Sequence, residues 1–153
     1  MNGLSSIYVN KLAKYCLKNF VQVIPCDHLK YFQLKVGDQF IINLSDSSKV
    51  GSHFISISIK EKEWVYFDSF GSECENRYIL KELEKYEKRL ICAPKQVQSL
   101  NSFFCAYFTI AHLISDEKKM SLKSFLEIFE SENLEKNDQI CIDFIILYIK
   151  NMK

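Results

Sequence analysis

Three short segments hold residue types that a scaffold alone does not call for: Gly-Ser-His-Phe at 51–54, Tyr-Phe-Asp-Ser-Phe-Gly at 66–71, and Val-Gln-Ser-Leu-Asn-Ser-Phe-Phe-Cys-Ala at 97–106. Together they supply a cysteine, a histidine, an aspartate and a glutamine. Hydrolysis by a thiol needs a cysteine of depressed pKa as nucleophile, a histidine to hold or take its proton, and an acid to fix that histidine. Cys105, His53 and Asp68 meet those needs in residue type. Each has an ordinary structural explanation when taken singly, since cysteines are often simply buried, strand histidines simply hydrogen-bonded, and an Asp before Ser-Phe-Gly can shape a turn. The joint pattern is what points to a catalytic site.

The elements around these residues must bring them together. His53–Ile59 alternates, with Ile55, Ile57 and Ile59 on one face and Phe54, Ser56 and Ser58 on the other, and reads as a strand. Gln39–Leu44 reads as another, joined to it through the polar stretch Ser45–Ser52. The charged turn Lys60–Glu63 leads to a third strand, Trp64–Asp68, giving an expected antiparallel meander ended by Gly71. His53 would open one strand and Asp68 close the next, so the turn between them sets the two residues side by side at one sheet edge. Cys105 begins an almost wholly apolar stretch to Ser115, the pattern of a buried helix. Its dipole and free N–H groups would favour a negative sulfur and form half of an oxyanion hole.

Further helices are expected over Ser5 or Ser6 to Asn19, over Glu75–Arg89 with Lys and Glu on its outer face, from Ser121 through Phe129, and from Asn137, read as the cap of the last. Pro25 enforces extended backbone, and a short extended piece around Gln96–Gln98 follows Pro94. The fold class is therefore α+β: a small antiparallel sheet packed on a central buried helix that carries the nucleophile at its N-terminus, with flanking helices.

Composition excludes several other functions. In 153 residues the 20 Lys and Arg and 19 Asp and Glu nearly cancel and are dispersed, so no field for nucleic acid or membrane is expected, and the partner is a protein. The length suits one domain, 1–153. Met1–Ser6 shows no basic stretch followed by an apolar run and no segment is long enough to span a bilayer, so the expectation is a soluble, intracellular chain. The six cysteines, in a chain large enough for its own core, read as reduced thiols. No Cys-x-x-Cys pair or His-x-x-x-His ladder supports a metal, and no cofactor is expected. His112 lies seven residues after Cys105, two turns and about 10 Å along the helix, too far for a thiolate–imidazolium pair. It reads as a packed histidine, and His28, in a loop-like setting after Pro25, as structural. No feature gives Cys16 or Cys92 a regulatory disulfide.

The three segments resemble the adenovirus protease family and its relatives from large eukaryotic DNA viruses and virus-like transposons. His53-Phe54 matches that family's His-Trp, Asp68-Ser69-Phe70-Gly71 its acidic segment, and Val97-Gln98 through Asn101-Ser102 to Cys105 its Gln-to-Cys stretch; Asn43 and Asp27 fit its pattern as well. The likeness runs from about Phe40 to Leu113 and is faint outside. It implies a papain-like, adenain-like fold, with Cys105, His53 and Asp68 as triad and Gln98 as a side-chain donor to the oxyanion beside the Cys105 N–H. It implies a cysteine endopeptidase that processes precursors of viral capsid or core proteins after small residues such as Gly, during particle maturation in the host nucleus or cytoplasm and in the virion. Some members need an activating peptide or DNA, which nothing in this sequence requires, and a monomer is expected. Phe54 stands in place of Trp, Ala106 in place of the glycine after the nucleophile, and the hairpin between His53 and Asp68 is shorter. The Gln-to-Cys spacing, with Phe104 where ubiquitin-like-protein proteases of the same clan carry Asp, favours the viral branch. The alternatives are a ubiquitin or ubiquitin-like isopeptidase and a non-catalytic binding or virion descendant of the fold.

Overall fold

A computed structural model describes residues 4–152. Helix α1, Ser6–Cys16, starts where the Ser5 hydroxyl accepts the Tyr8 N–H. It stops three residues before the expected Asn19. Leu17 turns extended, and the N–H groups of Lys18 and Asn19 go instead to the Glu117 carboxylate, at 2.8 and 2.9 Å. The chain then enters β1, Phe20–Pro25, and a 3-10 helix, Cys26–Tyr31. Strands β2, Gln39–Asn43, β3, Phe54–Ile59, and β4, Glu63–Phe67, form the expected antiparallel meander.

The sheet is larger than that meander and mixed in direction. β1 pairs parallel to β2 on one side, and β5, Arg89–Ile91, pairs parallel to β4 on the other, giving the order β1-β2-β3-β4-β5. The expectation of a small antiparallel sheet is corrected accordingly. Helix α2, Arg77–Lys85, capped by the Asn76 side chain, is the crossover that makes the β4–β5 pair parallel. It is shorter than the expected Glu75–Arg89 because Glu87 takes φ 52° and turns the chain back into β5.

Both faces of the sheet are buried. The isoleucines of β3 pack with Phe40, Ile42, Trp64 and Tyr66 beneath α2 and the 3-10 helix. The opposite face meets α3, Cys105–Glu117, the buried central helix, together with α1, the short α4, Leu122–Leu126, and α5, Asn137–Asn151. On that face Ser56 and Ser58 are fully buried, because α3 supplies their partners: Ser56 Oγ lies 2.9 Å from His112 Nδ1, and Ser58 Oγ donates to Asp116 at 2.6 Å. Asp116 also pairs with Lys60, so an ion pair closes the end of the helix–sheet interface. Ser121 caps α4 as its sequence implies, while Phe129 lies in the core beyond the helix end. Asn137 does not cap α5. Its side-chain amide donates to the carbonyls of Val97 and Glu130 and its oxygen accepts from the Glu130 N–H, tying the loop before Cys105 to the helical layer.

Candidate active site

The meander and α3 bring the sequence-derived residues into one cleft. β3 begins at Phe54, so His53 stands one residue ahead of the strand rather than opening it, and Asp68 one residue past the end of β4. The antiparallel pairing of the two strands makes them neighbours: His53 Nε2 lies 2.8 Å from Asp68 Oδ1. The same carboxylate oxygen accepts the Phe70 N–H at 2.8 Å, and the Phe70 ring stacks on the imidazole with centroids 4.7 Å apart. The ring is thus fixed by a hydrogen bond at Nε2 and by a flat apolar wall. With Nε2 taken by the carboxylate, Nδ1 is the nitrogen left for another partner.

That partner is Cys105. The imidazole and the thiol line the same cleft, where each shifts the proton equilibrium of the other, and the backbone N–H groups of Phe54 and Ala106 favour negative charge on the sulfur. Burial alone would push the Cys105 thiol up; the bond from His53, the Phe54 N–H, the His53 charge and the Ala106 N–H together bring it below the ordinary thiol value of 9.0. Burial likewise opposes a charged His53, but the Asp68 carboxylate and the Cys105 sulfur outweigh it and raise the imidazole to about 9. Both shifts favour the thiolate and imidazolium forms. Helix α3 contributes in a further way. The N-termini of α1, α2 and α4 are capped by Ser5, Asn76 and Ser121, whereas Phe104, ahead of Cys105, gives α3 no side-chain cap. The first N–H groups of α3 therefore stay free for negative charge at the sulfur or beside it.

Gln98 lines the same cleft and is almost wholly buried. Its side-chain nitrogen donates to the Ser102 carbonyl at 2.9 Å, and its oxygen accepts from the Ser69 hydroxyl at 2.5 Å. Ser102 is itself held by Asp138 of α5, to which its hydroxyl donates at 2.8 Å. Of the four residues singled out by sequence, Cys105, His53 and Gln98 line this cleft, and Asp68 is bonded to His53 from outside it.

Some supporting residues carry little sequence signal. Phe70, Ser69 and Ser102 lie inside the segments already singled out, but nothing in their types announces what they touch. Asn43 is more legible through its place in the resemblance. Its side-chain oxygen accepts the N–H groups of Ser45, at 2.9 Å, and Ser52, at 3.3 Å, so it fastens both ends of the loop that delivers His53. A Cβ on Gly51 would come within 2.2 Å of Asn43 Nδ2, which accounts for the glycine there. Asp27 fastens the middle of that loop by accepting from the Ser47 N–H at 2.8 Å and from its hydroxyl, and the hydroxyl bond holds the carboxyl below its ordinary value.

The other histidines stay out of the cleft. His112 is buried, stacked on Phe67 and bonded to Ser56, and burial pushes it down to about 4, so it is the packed histidine expected. His28 packs edge-on against Tyr31 in the 3-10 helix. All six cysteines carry free thiols. Among the described residues no cluster of His, Cys, Asp and Glu has the makings of a metal site, and no helix is long and apolar enough to cross a membrane. The cleft is lined by apolar and uncharged polar side chains, with His53 and Cys105 its only titratable groups among the described residues. Val50, Leu100 and Phe103 lie along it and are 94%, 79% and 55% exposed, more than side chains of this type retain when they serve only the core.

No family model matches the chain, and no curated protein matches it. Among solved structures it is similar to the central domain of the uncharacterized Lpg1148 protein from Legionella pneumophila, at a TM-score of 0.57 and 14% identity over 99% of this chain and 98% of that one. At that identity the likeness is one of fold: an α+β arrangement shared over the whole length.

Proposed function

We propose that this chain is a cysteine protease of the adenovirus-protease type, with Cys105 as nucleophile, His53 as acid and base, Asp68 as the orienting carboxylate and Gln98 as an oxyanion donor. The observation that carries the reading is one imidazole hydrogen-bonded to a carboxylate and sharing its cleft with a thiol at an uncapped helix N-terminus. The Cys105 thiolate attacks the scissile carbonyl, whose oxygen takes up negative charge. The Cys105 N–H, which has no acceptor within its own helix, and the Gln98 amide stabilise that oxygen. His53 then gives its Nδ1 proton to the departing amine, leaving a thioester and a neutral imidazole. A water molecule loses a proton to His53, adds to the thioester carbonyl and releases the acid, and Cys105 returns as thiolate facing imidazolium.

Apart from His53 and Cys105 the cleft is lined by uncharged side chains, which supports a substrate that is neutral around the scissile bond. The resemblance adds the finer reading, precursors of viral structural proteins cut after small residues such as Gly. The test is to incubate the protein, and its Cys105→Ala variant as control, with a Gly-containing peptide library and with ubiquitin-like activity probes in parallel. Cys105-dependent cleavage of peptides is the expected result. Reaction with the probes alone would replace the endopeptidase by an isopeptidase acting through the same residues, and silence in both assays would leave a binding descendant of the fold.

A further inference from the structure

Asp68 and Ser69 are consecutive, and each holds a different part of the site. Asp68 fixes His53, whereas Ser69, completely buried, makes three hydrogen bonds to the Val97–Gln98 segment, two of them to Gln98. Its carbonyl accepts the N–H groups of Val97 and Gln98, both at 2.9 Å, and its hydroxyl donates to the Gln98 side chain. The orientation of that side-chain amide follows from its other end. The Ser102 carbonyl has no hydrogen to give, so the atom 2.9 Å from it must be the amide nitrogen, and the atom facing Ser69 must be the oxygen. That nitrogen also lies 3.3 Å from the Ser102 hydroxyl, a longer bond than the one to the carbonyl. Gln98 lines the cleft, so the hydrogen in the longer bond is the one that a developing charge there would draw away.

We propose that Ser69 is a positioning residue for the oxyanion hole: by donating to the Gln98 oxygen it keeps the Gln98 nitrogen turned toward the reacting carbonyl. The residue pair Asp68-Ser69 thus orients the proton carrier with one side chain and the oxyanion donor with the next. This role rests on the protease reading above. With alanine at 69 the buried amide oxygen loses its hydrogen-bond donor, and the amide is free to turn about its last torsion and present the wrong atom to the developing charge.

Two reactions of Cys105 separate the role from general damage. Alkylation by iodoacetamide needs the thiolate but forms no oxyanion, whereas acyl transfer from p-nitrophenyl acetate forms one. In the full-length protein, with Cys105→Ala as baseline, Ser69→Ala should slow acyl transfer about tenfold or more while leaving the rate and pH profile of Cys105 alkylation unchanged. Because Ser69 acts through Gln98, the Ser69→Ala/Gln98→Ala double variant should be no slower than Gln98→Ala. Ser69→Cys, of similar size and with a weaker donor, should fall between wild type and Ser69→Ala, and serves if the alanine variant does not fold. Wild-type acyl transfer in Ser69→Ala, losses that multiply in the double variant, or a parallel loss of alkylation would each overturn the role. A wild-type protein with neither Cys105-dependent acyl transfer nor preferential Cys105 alkylation would instead overturn the protease reading beneath it.

Discussion

At the scale of single residues, the thiol and the imidazole share one proton economy. Cys16 is pushed up to about 11 by burial, and Cys74 and Cys141 are also raised chiefly by burial, while Cys105 alone among these is lowered. Iodoacetamide near neutral pH, read by mass spectrometry, should therefore modify Cys105 first; faster labelling of Cys141 would mean that the helix terminus does not activate the sulfur. Turnover should rise with pH through the lowered Cys105 value, as the thiolate forms, and fall as pH passes about 9, where His53 loses the proton it must give to the leaving amine. Asp68→Asn removes a charge that raises His53, so the falling limb should move to lower pH with reduced turnover, whereas His53→Ala should abolish it. Gln98→Ala should lower the turnover number about a hundredfold with little change in the Michaelis constant, because the oxyanion exists only after attack. Gln96 donates from its side chain to the Gln98 carbonyl at 2.8 Å, so Gln96→Ala should cost a small part of that effect. Full turnover in Gln98→Ala with loss in Gln96→Ala would show the other glutamine to be the donor.

At the scale of elements, the meander was readable because its strands alternate and their turns are polar, and α3 because its face is apolar all round. β1 and β5 were not. A parallel partner comes from across a crossover, and neither Phe20–Pro25 nor the three residues Arg89–Ile91 announces in its own pattern which strand it joins. The candidate catalytic residues were legible because chemistry narrows both their types and their order, while Ser69 and Ser102 make hydrogen bonds that any loop serine can make. The joint between these elements is Gly71. It has φ +72°, and a Cβ there would stand 2.6 Å from the Gln96 backbone nitrogen and 2.7 Å from the Lys95 carbonyl carbon. The 95–98 segment therefore lies directly on the turn after Asp68, which is how Gln98 reaches Ser69. Gly37 has φ +98° with nothing within 4 Å. Chemical denaturation should find Gly37→Ala weakened by about 1 kcal/mol, from backbone strain alone, and Gly71→Ala by roughly 2–4 kcal/mol, since strain and backbone overlap add there. Equal losses at the two sites would mean that the 95–98 segment does not pack on Gly71.

At the scale of the whole molecule, His112 and the His53–Cys105 pair affect the pH dependence of stability in different ways. His53 has a folded pKa of about 9, above its ordinary 6.5, so the stability its charge contributes is fully present below 6.5 and is lost as pH rises through 9. His112 behaves in the reverse sense. It is sealed between Ser56, Phe67 and Phe125, and burial, opposed by Asp116 and assisted by Lys60, holds it down to about 4. Below 6.5 the unfolded chain takes up a proton that the folded protein refuses, so stability falls as pH drops from 6.5 toward 4. Asp116 is also lowered: burial opposes its charge, and the bonds from Lys60 and Ser58 outweigh that. Its contribution is therefore fully present well above 3.8, so it adds slope only at the acid end of the 4–6.5 window. Stability governed by His112 should decline on the acid side of pH 6.5 by up to about 1.4 kcal/mol per pH unit, while above 6.5 the loss from His53 is offset by Cys105, whose proton the unfolded chain still holds after the folded protein has released it. Urea unfolding across that range is the measurement. His112→Gln, which keeps a polar partner for Ser56 but cannot titrate, should flatten the acid limb, and His53→Ala should leave that limb in place. An acid slope that survives in His112→Gln would move the acid sensitivity from the helix–sheet interface to groups elsewhere in the fold.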